Sequence, residues 1–215
     1  HAVQSSLTFS LYEGEMVCML GPNGCGKSTL LRTLAGLQPP LAGTYEVYGL
    51  SSEKASENSA ERAKHLALVL TERLSLEHTT VHDVVAMGRY PYSSFLGGLS
   101  AEDEAVIADS LQQVGLFNMA DTYFNAHSDG EKQRILIAKA LAQQTPVILL
   151  DEPTAHLDLP NRIRTLQLLR HLAHEQDKTI LISTHELDLA LQLSDRILLM
   201  SEGGIQLDTA NALRT

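Results

Sequence analysis

The chain has 215 residues, enough for one sizeable core with an inserted subdomain, and this length does not require a second domain. Apolar residues make up 44% of it and tryptophan is absent, which is typical of an α/β protein with an aliphatic core and excludes a disordered chain. The net charge of −10 disfavours sequence-independent binding of nucleic acid, because phosphate backbones attract basic surfaces. We therefore expect no nucleic-acid partner.

The composition also excludes several kinds of site. No apolar run approaches the roughly 20 residues of a transmembrane helix and no leader pattern opens the chain, so a cytosolic or membrane-peripheral protein is expected. Two cysteines without a CxxC motif support neither a disulfide framework nor a zinc site. The pairs His78 with His82 and His171 with His174 have helical spacing but no Cys or carboxylate at ligand spacing, so we interpret them as surface residues.

The first part of the chain alternates apolar runs with turns. An apolar run at 15–20 enters a glycine-rich turn, and leucines at helical spacing follow at 27–35, which predicts a strand, a loop and a helix. Further strands are predicted at 44–48 and 65–70. The polar stretch at 51–64 between them has no apolar face and is predicted to be a surface connection.

The second part begins with helical patterns and then alternates strands with helices. Apolar residues at helical spacing predict helices at 81–88, 101–114, 131–142, 161–174 and 186–193. Short continuous apolar runs predict strands at 147–150, 179–183 and 196–200. Such runs are typical of strands covered on both faces, so we expect a parallel sheet with ligands at the carboxyl ends of its strands.

The loop between the first predicted strand and helix fits the pattern G-x-x-x-x-G-K-[ST] in full, and these flanking elements are the context that the motif requires. Its glycines let backbone N–H groups converge on phosphate oxygens. Lys27 places a positive charge against the β- and γ-phosphates, and Ser28 offers a hydroxyl to Mg²⁺. The predicted ATP-binding residues are Gly21, Pro22, Asn23, Gly24, Cys25, Gly26, Lys27, Ser28 and Thr29.

Two adjacent acids follow the predicted strand at 147–150. This strand end and the phosphate loop are expected at the same edge of the sheet, so Asp151 is predicted to hold the Mg²⁺ hydration shell. Glu152 is predicted to point away from its neighbour and to act as general base on the water that attacks the γ-phosphate. A pair of acids at a strand end is common, and it is the complete phosphate loop that favours the catalytic interpretation.

With the segments GPNGCGKST, SDGEKQR and DEP, the chain resembles an ATPase of the ABC transporter family over about its whole length. Residues 127–131 resemble the family signature LSGGQ, with His127 and Asp129 in place of the leading Leu and the first Gly. The resemblance implies that Ser128 and Gly130 contact the γ-phosphate bound to the opposite subunit, and hence a head-to-tail dimer. A hydroxyl and a glycine backbone at a helix start are suited to an anion.

Further family positions are matched with one departure. Residues 154–158 resemble the D-loop, which implies that Asp158 contacts the partner subunit. His185 matches the switch histidine, which implies contact with the γ-phosphate and a role in keeping the water and Glu152 in register. Where the family has a Gln that binds Mg²⁺, this chain has Thr71 followed by Glu72. We assign Thr71 to the metal, and Glu72 remains the competing ligand.

The resemblance also implies an architecture. We expect an α/β fold of the P-loop NTPase, RecA-like type, with a parallel-sheet core, an antiparallel N-terminal β part and an inserted α-helical subdomain. The ATP-binding core is expected at 1–75 and 145–215, and the helical subdomain at 76–144. The family stacks adenine on an aromatic residue upstream of Phe9, and no aromatic residue precedes it here, so the chain is expected to be truncated at both ends.

Residues 81–92 and 99–104 are similar to the ATPases of ferric-siderophore, haem and vitamin B12 importers. This likeness implies a paired ATPase subunit at the cytoplasmic face of the inner membrane, with two permease subunits and, indirectly, a periplasmic binding protein. Iron complexes are the expected cargo; a cobalamin importer and a soluble ABC ATPase remain alternatives. A DNA-repair relative would need a longer coiled-coil insert, and a translation-associated relative would carry two phosphate loops.

Overall fold

Strands and helices alternate along the chain in a computed structural model that describes residues 7–54, 59–70, 76–92, 98–201 and 204–210. The described strands are β1 (Met16–Leu20), β2 (Glu46–Val47), β3 (Leu50–Ser51), β4 (Leu66–Val69), β5 (Val147–Asp151), β6 (Thr179–Ser183), β7 (Arg196–Ser201) and β8 (Gly204–Thr209). The described α-helices are α1 (Lys27–Leu34), α2 (Ser59–Arg62), α3 (Val81–Ala86), α4 (Ala101–Gln113), α5 (Asp129–Ala142), α6 (Leu159–Gln176) and α7 (Leu187–Leu193).

The central sheet has six strands in the order β4-β5-β6-β1-β7-β8. The first five strands in this order are parallel, and β8 runs antiparallel to β7. Helices connect the parallel strands, because parallel neighbours need a crossover connection. The predicted parallel sheet is therefore confirmed. The edge strand β8 is not predicted by the sequence pattern, since Ile205 and Leu207 are its only large apolar residues.

Both faces of this sheet are buried. Successive residues of a strand point to opposite faces, so Met16 and Cys18 of β1 pack in an apolar cluster with residues of α3, α4, α5 and α6. Val17 and Met19 pack on the other face, where Leu31 of α1 covers them. With the faces covered by helices, polar side chains are left to the ends of the strands, and the carboxyl ends carry the candidate site.

The helices α3, α4 and α5 pack on one another around a shared apolar cluster that includes Phe124. Each of them begins with a capping box, formed by Thr80 with Asp83, Ser100 with Asp103, and Ser128 with Glu131. The helix predicted at 81–88 ends at Ala86 and continues as a 3-10 helix at Met87–Tyr92, where Pro91 lacks an N–H for an α-helical hydrogen bond. Among the described residues, no helix is both long and apolar enough to cross a membrane.

The prediction of a plain surface connection at 51–64 is corrected by the structure. This stretch contains the last residue of β3, a 3-10 helix and α2, and Arg62 at the end of α2 is only 5% exposed. The Arg62 guanidinium donates to the carbonyls of Leu34 and Ser51 at 3.3 Å and lies over the Tyr45 ring. A pattern based on apolar residues misses a cation whose stem is buried. In the described N-terminal part, antiparallel pairing is limited to the β2–β3 hairpin.

Candidate nucleotide-binding site

Three turns meet at one edge of the sheet because of the strand order. β6 lies between β5 and β1 and is parallel to both, so the chain leaves all three strands at the same edge. The phosphate loop follows β1, the two acids end β5, and His185 comes two residues after β6. The carboxyl edge of a parallel sheet is where ligands bind in such folds. The topology therefore places the predicted loop, carboxylates and histidine at one edge.

The phosphate loop depends on its glycines for its shape. Gly24 and Gly26 have φ angles of 81° and 106°, in the region that favours glycine. At Gly21, a Cβ would lie 2.5 Å from the carbonyl oxygen of Met200 on β7, so a larger residue would push the loop away from the sheet. Gly26 immediately precedes α1 and offers no side-chain cap, which leaves the first N–H groups of the helix available to a ligand.

Lys27 is the first residue of α1 and is 6% exposed. Its Nζ donates to the carbonyl oxygens of Gly21 at 2.7 Å and Pro22 at 3.1 Å, both in its own loop. Within the described parts of the chain, no carboxylate forms an ion pair with it. A buried ammonium group with only neutral oxygen partners is strongly attracted to an anion. Ser28 and Thr29, in the same helical turn, are exposed.

Asp151 and Glu152 are held by a serine that the sequence analysis does not single out. Ser183 is fully buried at the end of β6, in register with Asp151, and its Oγ donates to Asp151 Oδ1 at 2.6 Å. The same Oγ accepts from the backbone N–H of Glu152 at 2.8 Å. Glu152 has a φ of 45°, which turns the backbone sharply at the strand end. Only the pairing of β5 with β6 reveals this role of Ser183.

Glu152 and His185 face each other across the ends of β5 and β6. His185 Nδ1 lies 3.8 Å from Glu152 Oε2, beyond hydrogen-bond distance but close enough for electrostatic attraction. The His185 and Glu152 side chains are 56% and 27% exposed, so solvent reaches both. A carboxylate and an imidazole in this arrangement can orient a small polar molecule that hydrogen-bonds to both.

The predicted signature residues occupy the start of α5. Ser128 caps this helix, and its hydroxyl and backbone N–H both donate to Glu131 Oε2. These hydrogen bonds, that of the hydroxyl first, lower the pKa of Glu131 below its usual value. A Cβ on Gly130 would lie 3.3 Å from Asn161 Nδ2 of α6, so this glycine allows close packing of the two helix starts. Among the described residues, neither Ser128 nor Gly130 bonds to Lys27.

Asp158 also caps a helix. Its Oδ1 accepts from the backbone N–H of Asn161 at 3.1 Å at the start of α6, and the residue is exposed. Asn161 therefore connects Asp158 to Gly130 at the start of α5. The two candidate ligands Thr71 and Glu72 lie outside the described residues, so their assignment stays a prediction.

The comparisons with known proteins agree with this geometry. The sequence profile of the family described as ABC transporter matches residues 5–155. The iron(3+)-hydroxamate import ATP-binding protein of Bacillus subtilis is 36% identical over 203 residues, which cover 94% of this chain and 75% of that protein. The cobalamin import ATP-binding protein of Halobacterium salinarum is 39% identical over 196 residues, which cover 91% of this chain but only 48% of that protein.

Solved structures show the same fold. A transporter in an inward-facing conformation, assigned to the metal-chelate type of ABC transporter, superposes with a TM-score of 0.86 at 32% identity, over 97% of this chain and 77% of that one. A dimeric ATP-binding cassette in a post-hydrolysis state, bound to ADP and Pi, superposes with a TM-score of 0.83 at 27% identity, over 97% of this chain and 90% of that one. The chain therefore belongs to the ABC transporter family and has its nucleotide-binding fold.

Proposed function

We propose that this chain is the ATP-binding and ATP-hydrolysing subunit of a membrane importer for iron complexes. The observation that carries the proposal is the sheet edge at which a buried lysine, two carboxylates held by one serine, and a histidine occur together. The similarity to an iron(3+)-hydroxamate import ATPase and to a metal-chelate type transporter supports the cargo class.

ATP is held through its phosphates in this proposal. The N–H groups of the phosphate loop and of the first turn of α1 donate to phosphate oxygens, helped by the positive end of the helix dipole. Lys27 Nζ leaves the carbonyls of Gly21 and Pro22 and binds the β- and γ-phosphates, which offer it charged in place of neutral acceptors. The contacting residues are Gly21, Pro22, Asn23, Gly24, Cys25, Gly26, Lys27, Ser28 and Thr29.

The donors beside the phosphate loop fit Mg²⁺, which prefers hydroxyl, carboxylate and water oxygens. Ser28 and Asp151 would hold the ion, with Thr71 or Glu72 as a further ligand. Ser183 keeps the Asp151 carboxylate fixed by donating to one of its oxygens. When bound, Mg²⁺ neutralises phosphate charge that develops during the transfer.

Hydrolysis uses Glu152 and His185. The turned backbone and the hydrogen bond from Glu152 N–H to Ser183 hold the Glu152 carboxylate beside Asp151 but directed to His185. Glu152 acts as general base and accepts a proton from the attacking water as the water oxygen bonds to the γ-phosphorus; the bond between that phosphorus and the β–γ bridging oxygen breaks, and ADP is the leaving group. His185 donates to the γ-phosphate and keeps the water and Glu152 aligned for in-line attack.

Two copies complete the site. Ser128 and Gly130 lie at the start of α5 and Asp158 caps α6, and they are proposed to act on the ATP bound by the partner, in a head-to-tail dimer. The dimeric cassette with ADP and Pi supports such an assembly. Permease subunits and, through them, a periplasmic binding protein complete the importer, with this subunit at the cytoplasmic face of the membrane.

The proposed organisation of the chain follows the same division. Residues 1–75 and 145–215 form the ATP-binding core, and 76–144 form an inserted helical subdomain that carries the signature segment. The mutual packing of α3, α4 and α5 supports this boundary.

ATP hydrolysis is tested with Glu152→Gln, which removes the base and keeps the size of the side chain. We expect kcat to fall by about 10²- to 10⁴-fold, the usual contribution of a general base. ATP affinity should change little, because the contacts of Glu152 among the described residues go to Ser183 and His185 and not to the phosphate loop. Glu175→Gln, the same change at an exposed position of α6, is the matched control and should retain full kcat. Hydrolysis at the normal rate by Glu152→Gln would remove this residue as the base.

The cargo is tested by uptake in source cells whose native gene carries Lys27→Ala. Loss of ferric-hydroxamate uptake with normal cobalamin uptake supports an iron importer. The second candidate is a cobalamin importer, which the halobacterial relative named for cobalamin import favours. Loss of cobalamin uptake with normal ferric-hydroxamate uptake would support it. Normal uptake of ferric siderophore, haem and cobalamin would contradict both and favour an ABC ATPase not coupled to these cargoes.

A further inference from the structure

A polar cluster joins the turn after β5 to the turn after β6. Thr154 Oγ1 donates to Glu186 Oε1 at 3.2 Å, and Arg162 Nη1 of α6 lies 3.2 Å from the same oxygen. Thr154 is 2% exposed and the Glu186 side chain is 12% exposed, so water screens this ion pair less than an open surface pair. We call these three residues the Glu186 cluster.

The cluster also holds the turn that leads to Asp158. Arg162 Nε donates to the carbonyl oxygen of Leu157 at 2.6 Å, so one guanidinium contacts both that turn and Glu186. The fixed fork of an arginine can satisfy two acceptors at once, which a lysine cannot do with the same geometry. The start of α6 and the start of α7 are therefore connected through one side chain.

Both neighbours of His185 are anchored. The backbone N–H of Thr184 donates to the carbonyl of Met19 on β1 at 3.0 Å, and the backbone N–H of Glu186 donates to Thr184 Oγ1 at 3.1 Å. The residue that follows His185 is also fixed through its side chain, because the Glu186 carboxylate contacts Thr154 and Arg162. The His185 side chain itself is 56% exposed and lies 3.8 Å from Glu152, so its position depends on the backbone that carries it.

We propose that Glu186, bound to Arg162 and Thr154, is a positioning residue that couples the 153–158 turn to His185. The inference rests on the proposed function, because its effect on turnover requires that the chain hydrolyses ATP. A displacement of the turn at Asp158 is passed through Arg162 and Glu186 to the backbone of His185. A small displacement of a catalytic group lowers the rate of the chemical step more than it lowers the affinity for the substrate.

Steady-state ATPase kinetics of Glu186→Gln test the coupling. The substitution keeps the size of the side chain but removes the charge that Arg162 faces. We expect kcat to fall about tenfold while KM for ATP stays within about twofold, because alignment and not binding is lost. Thr154→Ser keeps the donor and should retain most of kcat, whereas Thr154→Val removes it and should behave like Glu186→Gln.

The chain supplies a matched control at the amino ends of the parallel strands. Glu15 pairs with Arg196 at 3.1 Å and is also 12% exposed, so Glu15→Gln makes the same chemical change in a similar ion pair far from the site. Its kcat should equal that of the unmodified chain. If Glu186→Gln retains full kcat, or if Glu15→Gln loses as much, the coupling is wrong.

A double-mutant cycle and amide hydrogen exchange complete the test. With Arg162→Gln and Glu186→Gln combined, kcat should fall no further than in the worse single variant, because both remove one connection; independent, additive losses would overturn the proposal. Glu186→Gln should also speed amide exchange at 154–158, unlike Glu15→Gln. Amide exchange can be measured without ATP hydrolysis, so it tests the coupling separately from the proposed function. If the unmodified chain does not hydrolyse ATP, the proposed function is wrong. If Glu186→Gln leaves amide exchange unchanged, the coupling is wrong.

Discussion

Two buried cations, Lys27 and Arg89, have different partners and for that reason different roles. Lys27 is 6% exposed and Arg89 is 5% exposed, so burial alone does not distinguish them. In the part of the chain that the structure describes, Lys27 donates to the carbonyl oxygens of its own loop. Arg89 donates through Nε to the Asp103 carboxylate at 2.7 Å. One charge is neutralised inside the protein, and the other is left to a ligand.

The surroundings of Arg89 complete this contrast. Its Nη1 donates to the carbonyl of Ala142 at 2.8 Å and to Gln144 Oε1 at 2.7 Å, and the Tyr92 ring stacks at 4.2 Å from its Cζ. Arg89 thereby joins the 3-10 helix after α3 to α4 and to the end of α5. A buried cation with a carboxylate and several acceptors is structural, whereas one held by neutral dipoles in a glycine loop is available to an anion.

The largest effect is expected when the available cation is removed. Lys27→Met should weaken ATP binding by about ten- to a hundredfold, since a charge-assisted contact to phosphate contributes about 1.5–3 kcal/mol. Lys178→Met is the matched control: Lys178 Nζ also binds a backbone carbonyl, that of Thr145 at 2.8 Å, next to the amino end of β6. Its ATP affinity, measured by calorimetry, should be unchanged. Equal affinity in Lys27→Met would end the assignment of Lys27 to the phosphates.

Removing Arg89, the structural cation, should lower the stability of the fold and leave ATP affinity unchanged. Arg89→Met leaves the acceptors at Ala142 and Gln144 without their donor, and we expect a loss of about 2–3 kcal/mol in unfolding free energy. For a chain of this size that is roughly 4–12 °C in Tm. ATP affinity of the folded variant should be retained. Thermal unfolding of Arg164→Met, at an exposed position of α6, should stay close to that of the unmodified chain. If Arg89→Met instead lost ATP binding at unchanged Tm, the contrast would be wrong.

The smallest effect concerns the anion that neutralises Arg89. The Ser100 backbone N–H and hydroxyl, and then the Arg89 guanidinium, lower the pKa of Asp103 from 3.8 to about 2. Because the folded-state pKa lies below the unfolded one, the stabilisation is fully present above about pH 4 and is lost as the pH falls towards 2.

This pH dependence is measured as a difference between two proteins. The unfolding free energy of the unmodified chain minus that of Asp103→Asn, from urea titrations, should decrease as the pH is lowered from 5 through about 4 towards 2. The difference removes contributions of other carboxyls with lowered pKa, such as Asp83 and Glu131. A difference that is constant over this range would mean that Asp103 gains nothing from these partners.

Sequence patterns predicted the parallel core well because its strands are continuous apolar runs. The strand predicted at 179–183 coincides with β6, and the one at 147–150 falls one residue short of the end of β5. The stretch at 51–64 was predicted less well, because Arg62 is buried through hydrogen bonds and stacking that no apolar pattern records. Ser183 was not singled out, since its contacts come from a strand neighbour 32 residues away in the chain.

The sequence by itself determined the family, the phosphate loop and the candidate residues Lys27, Asp151 and Glu152. Local chemistry suffices there, because glycine freedom, a lysine and a strand that ends in acids are readable within a few neighbouring positions. Only the tertiary structure decided that Ser183 holds both acids and that the Glu186 cluster connects two turns. These contacts join segments about 30 residues apart, and they exist because parallel strands bring distant chain ends to one edge.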